Sequence, residues 1–333
     1  MKRNTKIYLT TAIIVVVSLV AYIFLWMLTT DQPLSSTDPI RNELLQQNIK
    51  RILSRNTTHL LAMVVSAVLI ASTSLVFQTI TNNRILTPSL IGFDAIFVTI
   101  QTLIIFVFSS NSIFYRNPYL NFITATVLMV LVTLAMYRLI LRRNRNNIIF
   151  LLLVGMVLST LARSSASFLQ TIMEPSEFDQ LTLKIQVSVT NINTNIIWLA
   201  IPFMIVTIAL IFRQIKSYDV MALGEDHAVG LGVRYNHKMN LSLIYIAFAM
   251  SISTALVGPL SFLGLIAVNA ARELLKTYKH LPLFILSSLI AVIFLVLGQV
   301  VVAETGYLTT VTVLINLVGG GYMIYLILKE NQI

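Results

Sequence analysis

Apolar stretches about twenty residues long recur from one end of this chain to the other, and no other feature limits its fold so strongly. Coiled as a helix rising about 1.5 Å per residue, such a stretch spans the roughly 30 Å hydrocarbon core of a bilayer. In hydrocarbon each backbone N–H and C=O needs a partner inside the protein, so only helices and closed barrels cross. Strands alternating between a lipid face and a polar lumen face are absent, which excludes the barrel. Of the 333 residues, 57% are hydrophobic and 11% charged. A soluble domain carries about 25% charged residues. The fold class expected is all-α: a polytopic helical membrane protein of about ten transmembrane helices. Residues 1–333 read as one transmembrane domain, with no room for a separate soluble one.

The spans are read at 7–28, 58–81, 89–110, 119–141, 147–171, 195–213, 239–257, 260–276, 281–303 and 308–328. The first is longer than the apolar core of a secretory signal. No small-residue cleavage site follows it in LTTDQP, so it reads as an uncleaved span. The third and eighth are the least regular, broken by Pro88, Gly92, Gly258 and Pro259. Such breaks persist only where protein or a cavity covers the freed backbone groups.

Lysine and arginine set the orientation. Lys2, Arg3 and Lys6 precede the first span, and Arg142, Arg143 and Arg145 follow the fourth. Arg213 and Lys216 follow the sixth, and Lys276 and Lys279 the eighth. With both termini cytoplasmic, all of these fall inside together with Lys329, while Glu174, Glu177 and Asp179 fall outside. This bias accounts for a net charge of +10 with no nucleic-acid partner. One cluster breaks it: Arg41, Lys50, Arg51 and Arg55 lie in the first external loop.

Several function classes lack their residues. There is no cysteine, hence no disulfide framework and no thiolate metal site. His59, His227, His237 and His280 sit at span ends or in loops and do not cluster, so no metal site and no cofactor are expected. Neither H-E-x-x-H nor G-x-S-x-G at a span end occurs, so no catalytic residue is assigned. No Walker A sequence is found, so ATP hydrolysis is expected of a partner subunit. The alternative reading is an ion-coupled secondary transporter of a small solute. Such carriers keep carboxylates near the midplane. Here Asp94 and Glu304 lie toward span ends, and no internal repeat is evident.

A polar island, Ser217–Asn236 (SYDVMALGEDHAVGLGVRYN), separates two long apolar runs. In it Leu223-Gly224 and Leu231-Gly232 frame a short amphipathic stretch with Glu225, Asp226 and His227 on its polar face and Ala228 beside them. Small residues there let a partner surface approach closely. Downstream, Gly258–Arg272 reads GPLSFLGLIAVNAAR. Together these segments resemble the iron-chelate (siderophore) uptake permeases of the FecCD type, the membrane subunits of binding-protein-dependent ABC importers. The family's loop spacing, LG-x3-A-x2-LGV, is met. Its second pattern, roughly G-P-I-x-F-x-G-L-x-x-P-H-x-x-R, is matched by Gly258, Pro259, Phe262, Gly264, Leu265 and Arg272. Val268 and Asn269 stand where the family has Pro-His. A third segment, Gln78–Thr102, matches the family at Gln78, Asn83 and Pro88, with Gly92 one position early. Its variant, Asn83-Arg84-Ile85-Leu86-Thr87-Pro88, then Gly92-Phe93-Asp94 and Gln101-Thr102, resembles the branch serving catecholate-type ferric siderophores, whose permeases usually come as two different subunits.

The resemblance implies roles for named residues. In the family the polar loop forms coupling helices seated in a cleft of the ATPase, which assigns Leu223, Gly224, Glu225, Asp226, Ala228, Leu231 and Gly232 to ATPase coupling. Family members carry R-x-P-R at the outer mouth of the second span, where the arginines pair with glutamates of the binding protein. Arg55 aligns with the second arginine, with Ser54 in place of the proline, and Arg51 lies one residue too far back for the first. Arginine suits the task because its planar fork binds carboxylate bidentately; the competing reading is snorkelling to the headgroups. Arg163, in VLSTLARSSASFL, lies about 12 Å from the outer end of its span. Beside a pathway it would attract an anionic ferric tris-catecholate. Otherwise it snorkels outward or pairs with Glu304. Asp94 reads as a pathway carboxylate or as a helix N-terminal one favoured by the local dipole. The partners implied are ABC ATPase subunits, a second, related permease, an extracytoplasmic siderophore-binding protein, the ferric siderophore itself and membrane lipid. The location implied is the cytoplasmic membrane.

Overall fold

The computed structural model describes residues 2–29, 39–143, 148–185, 196–305 and 309–330. All regular structure among them is helical. Eight helices are long and apolar enough to cross a membrane. They lie within α1 (Lys2–Thr29), α2 (Pro39–Ile80), α5 (Pro118–Arg143), α6 (Ile148–Ile172), α8 (Ile196–Arg213), α11 (Tyr235–Val257), α13 (His280–Glu304) and α14 (Val311–Glu330). The two irregular spans expected from sequence are α3 (Phe93–Phe108) and α12 (Leu263–Leu275), of 16 and 13 residues. At about 1.5 Å per residue neither crosses 30 Å alone. Each therefore needs the broken segment before it and a cover of neighbouring helices. The remaining helices are short: α4 (Ile113–Arg116), α7 (Pro175–Ile185), α9 (Ile215–Met221) and α10 (Glu225–Gly230).

The structure lengthens one expected element and adds another. The second span was read as 58–81, but α2 begins at Pro39 and runs for 42 residues. Residues 39–57, read as part of an external loop, thus belong to that helix. Helix α7, in the acidic segment after the fifth span, was not foreseen. Its 11 residues are too polar for a span, and Leu181 alone among them is buried.

Helix α2 is the axis of the bundle. Of its apolar window, 83% is buried inside the protein, against 17% for α1 and α14 and 22% for α6 and α8. It packs on α11, α12 and α13. Close approach to α12 is set by Gly264, where a Cβ would lie 1.9 Å from Ser74 Oγ and 3.1 Å from the Ile70 carbonyl oxygen. Ser66, Ser72, Thr73 and Ser74 of α2 are all buried. Two of these return their hydroxyls to their own helix, Thr73 Oγ1 to the Leu69 carbonyl at 2.7 Å and Ser72 Oγ to that of Leu69 at 3.1 Å. At these two positions a small hydroxyl residue permits tight helix packing and keeps its polar group satisfied.

Candidate functional site

After α2 the chain turns at Asn82, φ +47°, and Asn83 Oδ1 accepts the Ile85 N–H at 2.8 Å. A 3-10 turn, Pro88–Ile91, follows, started by the proline and ended by Gly92. Gly92 has φ +108°, and a Cβ on it would sit 1.8 Å from Ser159 Oγ. Both facts demand glycine: the dihedral is left-handed, and α6 leaves no space. Helix α3 then begins with Asp94 in its first turn. Helices α3 and α6 are joined by Thr99 Oγ1 to the Ala162 carbonyl at 3.0 Å and by Gln170 Nε2 to Thr102 Oγ1 at 3.0 Å.

Between this broken segment, α6 and the start of α12 lies a cavity of about 800 Å³. One wall is α6, with Ser159, Thr160, Arg163 and Ser164; opposite are Ser89, Gly92 and Asp94, with Ser261 and Phe262 closing the end. Asp94 is buried and accepts a hydrogen bond from Ser261 Oγ through Oδ2. Its Oδ1 has no hydrogen-bond partner among the described residues. Arg163 is exposed, and no ion pair joins it to Asp94 or to Glu304. The tertiary structure thus brings together two residues 69 positions apart that the sequence offered separately, and adds a lining of hydroxyls.

The signature segment after α11 closes that cavity. Gly258 ends α11, Pro259 follows, and Phe262 caps α12. Asn269, in the place of the family histidine, donates through Nδ2 to the Arg84 carbonyl at 2.9 Å, pinning α12 to the turn that carries the cavity wall. Arg272 lies in the last turn of α12, partly buried, with Nε unpartnered among the described residues.

The polar island is a second folded unit. Two short helices, α9 and α10, are linked by Gly224 at φ +96° and closed by Gly232 at φ +83°. Ala228 points inward and is fully buried, and its carbonyl accepts the Val233 N–H at 2.9 Å. Leu223, Val229 and Leu231 point outward, at 54%, 55% and 65% exposure. Glu225 and Asp226 occupy the first turn of α10 and are exposed. The trio makes an exposed apolar patch on an otherwise polar, folded loop. Ala228 differs from its expected companions: it holds the loop down and does not present itself.

Sequence reading missed the residues that anchor this loop. Tyr218 is fully buried and shares a 2.9 Å hydrogen bond with Ser242 Oγ of α11. Burial raises its phenol well above the ordinary range, so it stays neutral. Asp219 Oδ1 accepts the backbone N–H of His280 at 2.7 Å and its Nδ1–H at 2.8 Å. His280 Nε2 lies 2.7 Å from Thr79 Oγ1 on α2. The signal for these was weak, a tyrosine and an aspartate at the edge of a polar loop and a histidine at a span end. Arg51 and Arg55 lie on α2, but their side chains are outside the described residues.

A bundle of apolar helices around a hydroxyl-lined cavity, with a folded polar loop presenting leucines away from the bundle, defines a membrane transport permease. The FecCD transport family matches residues 9–329, and the chain belongs to that family. It is 46% identical over 281 residues to the petrobactin import system permease protein YclO of Bacillus subtilis (strain 168), covering 84% of this chain and 89% of that one. It is 31% identical over 283 residues to the petrobactin import system permease protein FatC of Bacillus anthracis, covering 85% and 80%. The fold matches a solved inward-facing structure of a metal-chelate-type ABC transporter with TM-score 0.79 at 20% identity, over 98% of this chain and 99% of that one.

Proposed function

We propose that this protein is the membrane subunit of an ABC importer that carries a ferric siderophore of the catecholate type across the cytoplasmic membrane. Both termini lie in the cytoplasm. The chain performs no catalysis. A separate ATPase docks on residues 217–236, a related second permease completes the pathway, and an extracytoplasmic binding protein delivers the chelate to an outer face that includes Arg51 and Arg55.

The observation that carries this reading is the outward trio Leu223, Val229 and Leu231 on a loop anchored by Ala228 and Tyr218. It gives a chain with no nucleotide-binding motif a place to receive mechanical work. The relatives named for petrobactin import support the substrate class. The cavity supports a passage: Asp94 and Arg163 face one space, with hydroxyls to replace water around a polar ligand. Alternating access follows physically, because ATP-driven closure of two ATPases moves two docking loops and the helices joined to them.

The test is reconstitution of the permease with its ATPase, second permease and binding protein in proteoliposomes, with uptake of a radio-iron tris-catecholate chelate as the readout. Uptake is expected to require ATP and to vanish in Gly224→Arg, whose arginine adds bulk and charge at a partly exposed turn of the docking loop where φ is positive. Full uptake by Gly224→Arg at normal expression refutes the docking assignment. Uptake driven by an ion gradient with no ATPase present establishes instead a secondary carrier, with Asp94 as its coupling carboxylate.

A further inference from the structure

We infer that Asp219, His280 and Thr79 form a strut that carries movement of the docking loop to the wall of the cavity, with His280 as the positioning residue at its centre. The inference rests on the proposed docking of an ATPase on the 217–236 loop.

The argument begins with what α9 holds. Its Asp219 carboxylate makes two hydrogen bonds to one residue, His280, taking the backbone N–H at 2.7 Å and the imidazole Nδ1–H at 2.8 Å. His280 is the first residue of α13, so the carboxylate also sits at the positive end of a 25-residue helix. A charge-assisted pair of bonds to a helix terminus is a stiff joint. The imidazole is 2% exposed. Its far nitrogen meets Thr79 Oγ1 at 2.7 Å, and that hydroxyl also lies 2.9 Å from the Leu75 carbonyl of α2. The ring is held sideways by Tyr218, whose centroid is 5.8 Å away. One unbroken polar line therefore crosses three helices in a region otherwise packed with apolar side chains.

The far end of that line is well placed. Thr79 lies one residue before the end of α2 and eight before Thr87, the first residue of the cavity wall. The intervening turn is short and braced, at Asn83 by its own side chain and at Arg84 by Asn269 of α12. A second line runs in parallel, since Tyr235 donates to the Ile80 carbonyl at 3.1 Å. Displacement of α9 thus cannot be absorbed within the loop; it bears on the end of α2, and the end of α2 carries Ser89, Gly92 and Asp94. Apolar packing alone slides and repacks, whereas oriented hydrogen bonds in a buried setting transmit direction.

The experiment uses the complete importer in proteoliposomes. Thr79→Val removes the hydroxyl and keeps the shape; His280→Phe removes both ring nitrogens and keeps the ring. Each is expected to retain binding of the ATPase and ATP hydrolysis, while iron transported per ATP falls at least about threefold, the scale of losing one buried hydrogen bond in Thr79→Val and two in His280→Phe. His280→Gln, which keeps a donor and an acceptor, is expected to fall less than His280→Phe. The double variant Thr79→Val/His280→Phe is expected to be no worse than the worse single one, since both cut the same line. A second readout follows the wall itself. Ser89→Cys, in a chain without native cysteine, is expected to change its labelling rate on ATP binding in the parent and to lose that change in both strut variants. An unchanged ratio of iron to ATP in both variants overturns the strut. So does loss of ATPase binding in them, because the residues would then shape the docking face. Normal ATPase binding by Gly224→Arg removes the docking reading on which the strut depends, whatever the strut variants do.

Discussion

Charge in the cavity offers the sharpest test of the pathway. Taken as a sphere, a space of 800 Å³ has its centre about 6 Å from its wall. Arg163 on that wall is exposed, so its field is screened, and an effective dielectric between about 40 and 80 applies. Coulomb's law at that distance then gives about a three- to tenfold change in occupancy for each unit of charge on the ligand. Arg163→Ala should therefore lower uptake of an anionic ferric catecholate by at least that factor and leave a neutral ferric hydroxamate nearly untouched. The structure sets a counterweight against it, the Asp94 carboxylate facing the same space. Asp94→Asn keeps the hydrogen bond from Ser261 and removes a charge, so it should shift discrimination the opposite way. The double variant should return close to the parent. Uptake of both chelates is measured in proteoliposomes at saturating ATP, with permease quantified in each sample. Equal losses for the charged and the neutral chelate in Arg163→Ala refute the pathway role and leave a structural one.

Three further expectations follow from the same geometry. An impermeant thiol reagent applied outside intact cells should label Ser176→Cys on the exposed face of α7 and spare His227→Cys on the docking loop; the reverse pattern inverts the topology. Ala228→Glu forces a carboxylate into a fully buried position, a cost of several kcal/mol, and should lower the melting temperature of the purified permease. Leu231→Asp, at 65% exposure, should leave melting unchanged and weaken ATPase binding at least tenfold, so equal melting of the two variants contradicts the inward and outward assignment. Arg51→Glu with Arg55→Glu should weaken docking of the loaded binding protein, since charge-assisted pairs become repulsions; unchanged affinity at low salt favours snorkelling.

Much of the architecture is written in composition and periodicity. A run such as Ile196–Arg213 has one stable form in hydrocarbon, because a helix alone satisfies its backbone within one segment. The breaks at Pro88, Gly92, Gly258 and Pro259 were equally legible, since proline lacks a donor and glycine tolerates a left-handed turn. The family signature of the polar loop was legible because two Leu-Gly pairs at fixed spacing rarely fall between two spans by chance. The early start of α2 and the helix α7 were not, because polar, charged residues outside a membrane carry little periodic signal.

By itself the sequence determined that this chain is a helical membrane protein of the FecCD transport family, with a polar loop between two spans and two broken spans. Tertiary structure alone decided which residues meet. Asp94 and Arg163 share a cavity because Gly92 lets α6 come within contact of the turn before α3. Ala228 turns inward while Leu231 turns outward because α10 has one face against the bundle, which six residues cannot announce by pattern. Asp219, His280 and Thr79, 140 and 201 positions from one end of the line to the others, meet because three helices end at one level. Hydropathy is a property of each segment alone; contacts between segments depend on how helices rotate and cross, and that is set by packing summed over the whole bundle.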